Sequence, residues 1–414
     1  MIKKGDNLNL KKLGTLLLCS LLISAVALSG CLKNTESEEN TATIVENDVN
    51  TKADGNEHMT ISSNKKVVPS TNEGEEYITI KDMWNREVKI NKDVNRVVLL
   101  GFSGMYLRIM KVWNIEDKVV GIDTITKKDQ VLKVLCPRLE NITDVGGGWG
   151  GVNYEAIAAT EPDLVIIRPI ITNKESEEKY KKIIDRLNEM NISVVILLHP
   201  SSYDTPNIDT AWQEIEILGK IFNKEKESKD LINNLNGYVE LVRKRTENVP
   251  EDERPRVLLY LPPDYMLGGE TIQSYFLEDI LHGKNVVERG KWVKTSPEEI
   301  LELNPDVIIL LGHMRYISPE EVYSGKKIYI DWKLVQDVKA IKERRVGSLG
   351  RSEWGITLEF PIGLLKMAKT AYPEKFNDID LEKEEIKFYK KIYGLNDKEI
   401  KKVMEAQRYK GKIH

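Results

Sequence analysis

Cysteine and histidine are both scarce in this chain. Its 414 residues include three cysteines, Cys19, Cys31 and Cys136, and five histidines, at positions 58, 199, 282, 313 and 414. The cysteines lie too far apart for a paired-cysteine metal motif, and the histidines are too scattered for a clustered zinc or manganese site. We therefore expect no metal site and no resident cofactor.

An excess of positive charge is also missing. The net charge is -4 and the pI is near 6.0, so the chain offers no basic patch for a nucleic-acid backbone. It also lacks a P-loop lysine pattern, a nucleophile-elbow serine and a zinc-protease helix. Gly101-Phe-Ser103-Gly104 has no final glycine where an elbow needs one, so Ser103 is expected to begin a helix. We predict a protein without catalytic residues.

A glycine-rich segment, Gly146–Gly151, matches the dinucleotide-binding pattern by letter only. Residues Asn141 to Asp144 before it form a poor strand, and no ribose-binding acid follows about 20 residues later. We interpret the segment as a loop that displays Trp149 and leads into a helix containing Glu155.

The first 30 residues predict an export signal. Lys3, Lys4, Lys11 and Lys12 precede a largely apolar run over residues 13–28, which is shorter than the ~20 residues of a membrane-spanning helix. Leu28-Ser-Gly-Cys31 resembles the lipobox of prokaryotic lipoproteins. That resemblance implies a chain lipid-anchored through Cys31 on the extracytoplasmic face of the cell membrane.

Cleavage before Cys31 would leave Cys136 alone in the mature fold. An internal disulfide is then impossible, and Cys136 is expected to be a small buried side chain.

Residues 31–75 hold the anchor and a polar segment with almost no apolar clusters, which predicts a flexible tether. After it, short apolar runs alternate with helical patterns, which is typical of an α/β fold with a mostly parallel sheet. We predict an N-terminal lobe over 76–222, a long rigid helix over 223–250 capped by Asn223, and a C-terminal lobe with terminal helices over 251–414. The predicted strands are 77–80, 86–90, 97–100, 119–122, 164–167, 194–198, 257–261, 307–311, 328–330 and 346–349.

One segment of the sequence occurs twice. Glu155-Ala-Ile-Ala-Ala-Thr-Glu-Pro162-Asp163 recurs as Glu298-Glu-Ile-Leu-Glu-Leu-Asn-Pro305-Asp306, and each copy is followed by an apolar run. In each copy a short helix would end before proline, and aspartate would open a turn into a strand. Two ordinary helix-to-strand junctions are the alternative interpretation.

The repeat resembles the class III solute-binding proteins of ABC importers, the group that handles ferric siderophores, haem and cobalamin. Residues 86–98 look like the first strands of that family, and residues 371–394 look like its C-terminal helices. The resemblance implies two Rossmann-like α/β lobes, one connecting helix, a ligand cleft between the lobes, and a monomer that hands its solute to a permease dimer with ATPase subunits.

In that family, one glutamate on each lobe docks with arginines of the permease. The matching positions here are Glu155 and Glu298, seven residues before the two prolines. First-turn glutamates that only favour the helix dipole are the alternative.

Ligands of α/β lobes gather at the carboxyl ends of the strands, so the loops there supply the cleft candidates. Aromatic rings and arginines in these loops suit a large, planar or anionic solute such as a metal chelate, most simply a ferric siderophore, otherwise haem or a corrinoid. The candidates are Ser103, Trp149, Arg168, Tyr203, Tyr265, Trp292, Arg315, Arg351 and Trp354.

Two other interpretations remain open from the sequence. An anchored metal- or cofactor-handling enzyme with a nitrogenase-like fold would be expected to carry clustered cysteines, which this chain lacks. A signalling lipoprotein that kept the fold and lost transport would have no need of both Glu155 and Glu298.

Overall fold

The computed structural model describes residues 76–148 and 150–411. The predicted signal, the lipid anchor at Cys31, the tether and Trp149 lie outside these residues. No helix in the described ranges is long and apolar enough to cross a membrane.

The described chain opens with a hairpin and a parallel sheet. Strands β1 (Tyr77–Lys81) and β2 (Glu87–Asn91) pair antiparallel, as predicted. A five-stranded parallel sheet follows, in the order β5-β4-β3-β6-β7. Its strands are β3 (Val97–Gly101), β4 (Val119–Ile122), β5 (Thr143–Asp144), β6 (Leu164–Arg168) and β7 (Ser193–Ile196).

Helices cover both faces of this first sheet. Every residue of β3 and β6 is buried, as expected of parallel strands enclosed on both sides. The helices are α1 (Gly104–Val112), α2 (Thr124–Lys127), α3 (Gln130–Leu135), α4 (Tyr154–Ala159), α5 (Lys174–Glu189) and α6 (Asp209–Ile221).

Helix α7 (Glu225–Thr246) lies in the chain between the two large sheets. Its 22 residues span about 33 Å, and Leu231, Leu235 and Val239 on one face are buried. The predicted cap was wrong by one residue. Lys224 precedes the first turn, whereas Asn223 has a left-handed φ of 54° and so cannot cap the helix.

The second large sheet is mixed. Its order is β11-β9-β8-β12-β15, with β10 also beside β8. Strands β8, β10, β12 and β15 are parallel, and β9 is antiparallel to both of its neighbours. The strands are β8 (Arg256–Leu261), β9 (Tyr265–Leu267), β10 (Lys284–Asn285), β11 (Trp292–Lys294), β12 (Val307–Leu311) and β15 (Val346–Leu349).

The prediction of a single strand at 328–330 was wrong. Residues Lys327–Ile328 (β13) and Ile330–Asp331 (β14) form a separate two-stranded hairpin. Tyr329 at its tip has a φ of 61°, so the chain reverses direction where the apolar pattern suggested one continuous strand.

The remaining helices cover the second sheet, and the last of them reach the first lobe. Helix α15 packs on α3, and α13 packs on α7. Apolar side chains of both lobes, including Leu99 and Leu259, belong to one buried cluster. The helices are α8 (Ile272–Tyr275), α9 (Pro297–Leu303), α10 (Pro319–Tyr323), α11 (Lys339–Lys342), α12 (Arg351–Trp354), α13 (Phe360–Ala371), α14 (Leu381–Tyr393) and α15 (Asp397–Gln407).

The sequence repeat corresponds to a structural repeat. Asp163 accepts the backbone N–H of Arg96 at 2.8 Å, and Asp306 accepts the backbone N–H of Arg256 at 2.8 Å. Each aspartate thereby ties the start of one strand to the start of its parallel neighbour.

Arg96 and Arg256 also form side-chain hydrogen bonds at these junctions, which the sequence did not predict. The Arg96 guanidinium donates to the Thr160 carbonyl at 3.0 Å, and the Arg256 guanidinium donates to the Leu303 carbonyl at 2.8 Å. These carbonyls lie at helix ends, where acceptors lack partners within the helix. The residue before each proline is left-handed in both copies, with a φ of 46° at Glu161 and 39° at Asn304. The two junctions are therefore built alike.

Candidate functional site

The lobes meet at loops that follow the carboxyl ends of their parallel strands. Arg168, the last residue of β6, donates from Nη1 to the Ile356 carbonyl of the second lobe at 3.0 Å. Because ligands of α/β lobes gather at this edge, the boundary between these loops is the candidate site.

Arg108 joins the lobes through a group of buried polar side chains. Its side chain is fully buried, and its Nε lies 2.9 Å from Glu359 of the second lobe. Its Nη2 donates to Asp129 at 2.9 Å and to Ser352 at 2.7 Å, while the Tyr393 hydroxyl donates to Glu359 at 2.9 Å. Burial alone would lower the pKa of Arg108, but the two carboxylates raise it above its usual value. We call these five residues the Arg108 cluster.

Arg168 was predicted as a cleft residue, and the structure corrects this. Its side chain is 2% exposed and forms a bidentate pair with Glu214, with N–O distances of 2.7 and 2.8 Å. Glu214 also accepts the Tyr106 hydroxyl at 2.9 Å. The guanidinium charge is neutralised inside the protein, so Arg168 supports the lobe boundary rather than offering a free cation.

The structure also corrects the prediction that Ser103 is a cleft residue. It precedes α1, as predicted, but its side chain is fully buried and donates to Asp123 at 2.6 Å. Burial raises the pKa of Asp123 to about 6, although hydrogen bonds from Ser103 and Thr126 oppose the shift. A solute in the cleft cannot reach this hydroxyl in the present conformation.

Three predicted aromatic residues lie on or next to the segments that are joined by a contact between the lobes. Tyr203 and Tyr265 are partly buried, and Trp292 is 48% exposed. Next to Trp292, Lys291 donates from Nζ to the Ser201 carbonyl of the first lobe at 2.8 Å. This contact brings the loop of Tyr203 and strand β11 together across the lobes.

The arginines of the second lobe differ in their pairing. Arg315 Nη2 lies 2.9 Å from Glu321, whereas Arg351 Nη1 donates to the His313 carbonyl at 2.6 Å. Within the described residues, no carboxylate lies within salt-bridge distance of Arg351. Trp354 packs edge-on against His313, with ring centroids 5.6 Å apart.

A small recess, with free space of about 10 Å³, lies beside Arg315 and Arg351. Both lobes and the end of the chain line it, so it opens at the lobe boundary. Its lining includes Asp129, Gln130, Gly312, Arg315, Tyr316, Arg351, Gln407 and Tyr409.

The glycine segment forms a loop, as predicted, but the residues before it do form a short strand, which the sequence analysis did not expect. Residues Thr143–Asp144 form β5. Gly146, Gly147 and Gly148 all have φ between 66° and 90°, a conformation that favours glycine at three successive positions. The loop borders a small recess near Tyr180, with free space of about 10 Å³. Trp149 lies outside the described residues, so its contact with solute remains a prediction.

The two repeated glutamates occupy the same position in the two lobes. Glu155 is the second residue of α4, after the cap Asn153, and Glu298 is the second residue of α9, after the cap Ser296. Both are exposed. Neither forms a salt bridge with another described residue. Their carboxylates are therefore open to a partner.

The described residues contain no group of three or more His, Cys, Asp or Glu side chains placed to hold a metal ion. Cys136 is buried and free, as expected.

The lowered pKa of His313 makes the stability of the protein depend on pH. Burial, and then the charge of Arg351, lower its pKa from 6.5 to about 4. The folded state therefore resists protonation, and the stability from His313 is complete above pH 6.5 and lost as pH falls towards 4. Protonation of His313 should lower the free energy of unfolding by up to about 2 kcal/mol between pH 7.5 and pH 5. We expect this part of the drop to be absent from the His313→Gln variant. Urea unfolding of both proteins at the two pH values tests this.

The raised pKa of Asp123 acts in the opposite sense, since its stabilisation increases as pH falls from about 6 towards 3.8. It is present in both proteins and cancels in the comparison. An unchanged pH dependence in the variant would contradict the assignment to His313.

Two α/β lobes with a boundary at the carboxyl ends of their strands define the class of two-lobed solute-binding proteins. The sequence profile of the periplasmic binding protein family matches residues 102–352. The chain belongs to this family, and it is a solute-binding protein rather than an enzyme.

Individual relatives are similar over most of the chain. The uncharacterized ABC transporter substrate-binding lipoprotein YvrC of Bacillus subtilis is 24% identical over 308 residues, 73% of this chain and 87% of that protein. The molybdate-binding protein MolA of Haemophilus influenzae is 26% identical over 335 residues, 76% and 90% of the two chains. The MolA structure superposes with a TM-score of 0.64 at 23% identity, covering 77% of this chain and 98% of that one. The high-affinity haem uptake protein IsdE of Staphylococcus aureus is 27% identical over 243 residues, 56% and 75% of the two chains.

Proposed function

We propose that this protein is the lipid-anchored, extracytoplasmic substrate-binding protein of an ABC importer. The observation that carries the proposal is the placement of Glu155 and Glu298, exposed and unpaired at the same helix position of two similarly built lobes. A pair of matching carboxylates, one on each lobe, suits a permease with two similar subunits. YvrC is itself named as an ABC transporter substrate-binding lipoprotein.

The anchor rests on the export signal, the lipobox resemblance at Cys31 and the lipoprotein name of YvrC. We expect Cys31→Ala to shift the protein from the membrane fraction to the soluble extracytoplasmic fraction, because the thiol that receives the lipid is gone. Fractionation followed by intact mass measurement of both proteins tests this. Cys136→Ala is the control and should stay with the membrane; a Cys31→Ala protein that stays there too would contradict lipid anchoring.

The solute is, in our proposal, a metal chelate: a ferric siderophore first, otherwise haem or a corrinoid. Aromatic side chains at the lobe boundary offer flat apolar faces, and Arg351 offers a guanidinium. IsdE is named for haem uptake. MolA binds molybdate, so a small oxyanion is the second candidate.

Calorimetry on the full chain in detergent tests the solute class against ferric siderophores, haem, cobalamin, cobinamide and molybdate. We expect sub-micromolar binding of at least one chelate. Molybdate binding alone would select the second candidate, and tight binding of a free divalent ion with no chelate would overturn the chelate proposal. Detection of no solute, with a normal unfolding transition, would favour the signalling alternative.

A further inference from the structure

We propose that Arg254 and Arg345 form a binding site for a single phosphate group in the second lobe, at the edge of the sheet opposite the solute cleft. Arg254 lies two residues before β8, and Arg345 directly precedes β15. The site is therefore at the amino ends of these parallel strands, whereas the lobe boundary lies at their carboxyl ends. Its ligand would be bound independently of the transported solute.

An open pocket at this edge has room for such a group. Its free space is about 330 Å³, compared with about 10 Å³ in each of the two recesses at the carboxyl ends of the strands. A water molecule occupies about 30 Å³ in the liquid, so a phosphate ion and several waters fit together. The lining comes from the segment before β8, from the starts of β12 and β15, and from the end of α13.

Both arginines lack an anionic partner. Arg254 forms no salt bridge and no side-chain hydrogen bond with any residue that the structure describes. Arg345 forms no salt bridge with these residues either, and its Nη2 donates to the carbonyl of Ala371, the last residue of α13. The Nε atoms of both arginines are buried and have no hydrogen-bond partner in the described part of the chain. Because a buried donor without a partner is destabilising, an acceptor that reaches these groups is favoured.

The two guanidinium groups border the same pocket. Tyr372, which also lines it, reports their proximity: burial raises the pKa of Tyr372 to about 12, and the charges of Arg254 and Arg345 oppose this rise. Each guanidinium offers paired N–H donors that match two oxygens of a phosphate. A carboxylate has only two oxygens to divide between two arginines, so the pair favours a phosphate or a phosphate ester.

Acidic residues at the pocket limit the kind of anion that it can hold. Four basic and four acidic residues line it, so a nucleic acid or another polyanion gains no long-range attraction. Of the acidic residues, Asp306 is paired with Lys339 at 2.8 Å. The other three, Asp252, Glu253 and Glu374, are exposed, where solvent and salt screen their charge. One phosphate group, either free or on a lipid headgroup, matches this environment.

Calorimetry with inorganic phosphate on the full chain in detergent, at constant ionic strength, tests the site. We expect one phosphate to bind, and Arg254→Gln and Arg345→Gln each to lower the affinity about 10-fold or more. Arg254→Gln should leave the unfolding transition unchanged, because the Arg254 side chain has no hydrogen bond to lose within the described residues. Arg254→Lys should keep part of the affinity, since it retains the charge and loses the paired donors.

Arg344→Gln is the matched control. Arg344 is exposed and adjacent to Arg345, but it lies over the Tyr323 ring, 4.2 Å from the centroid, and does not line the pocket. It should bind phosphate as the unaltered protein does. Absence of phosphate binding in the unaltered protein, or equal affinity in Arg254→Gln and Arg345→Gln, would overturn the site. Solute binding should be the same in all these variants, so failure of the phosphate site leaves the proposed function standing.

A vesicle experiment distinguishes the two sources of the phosphate group. The Cys31→Ala protein is sedimented with phosphatidylcholine vesicles that contain or lack phosphatidic acid, so that its own lipid does not carry it to the membrane. Sedimentation that requires phosphatidic acid and is lost with inorganic phosphate or with Arg254→Gln would identify a lipid headgroup. Phosphate binding without sedimentation would identify a soluble phosphate compound, and either result supports the site.

Discussion

Replacing Glu155 and Glu298 together with alanine should leave solute binding in solution unchanged and lower uptake on the order of 100-fold or more. Truncating one partner of a buried interfacial charge pair costs about 2–5 kcal/mol, much of it from the charge left unpaired. Two such losses in one complex would prevent productive docking. Uptake of the radiolabelled solute by cells, beside calorimetry on the purified variant, measures the two quantities separately.

The chain contains a matched control for this experiment. Glu175 is the second residue of α5 after the cap Asn173, and Glu320 is the second residue of α10 after the cap Ser318. Both are exposed, one in each lobe. They occupy the same position at the helix N-terminus as Glu155 and Glu298, so the helix dipole favours them in the same way. We expect Glu175→Ala with Glu320→Ala to transport normally; an equal loss in both double variants, or full transport in the first, would refute docking.

Glu359→Gln should destabilise the folded protein by about 3–5 kcal/mol. The substitution removes one of the two carboxylates that neutralise the fully buried Arg108, and both side chains of the broken pair are 0% exposed. Water cannot solvate the Arg108 guanidinium unless the lobe boundary opens. Urea unfolding at neutral pH gives the free energy of unfolding for the variant and the unaltered protein.

The exposed pair of Lys226 and Asp230, 2.7 Å apart on α7, provides the control. Asp230→Ala should leave the free energy of unfolding nearly unchanged, because exposed pairs contribute little. Adding Arg108→Met and Asp129→Asn to Glu359→Gln should recover part of the stability, since neither Glu359 nor Asp129 then leaves a buried charge of the cluster without a partner. A loss from Glu359→Gln as small as that from Asp230→Ala would show that the pair does not hold the lobes.

The Arg108 cluster also bears on how the protein moves. Opening the lobes at this point would expose a fully buried arginine and separate it from Glu359, whereas the contact between Lys291 and Ser201 is a single partly buried hydrogen bond. Separating the lobes near Tyr203 and Trp292 would therefore cost less than separating them at the Arg108 cluster.

Much of the fold could be predicted because its signals are local. The hairpin and strands β3, β4, β6, β8, β12 and β15 follow from apolar runs, within one to two residues of their observed ends. Strands β5, β9, β10 and β11 were missed because they have two or three residues each, too few to show a period. The strand predicted at 328–330 failed because the left-handed Tyr329 reverses the chain inside an apolar run.

The sequence alone was enough to predict the export signal, the lobe pattern, the family resemblance and the repeat with its two glutamates, because each is a pattern of residues close together in the chain. The pairing of the arginines, in contrast, could be seen only in the folded structure. Arg168 pairs with Glu214 and touches a carbonyl 188 residues away, and Arg108 meets a carboxylate 251 residues away. Charge neutralisation depends on distance in space, so Arg108, Arg168 and Arg315 lie against carboxylates, whereas Arg351 donates to a backbone carbonyl.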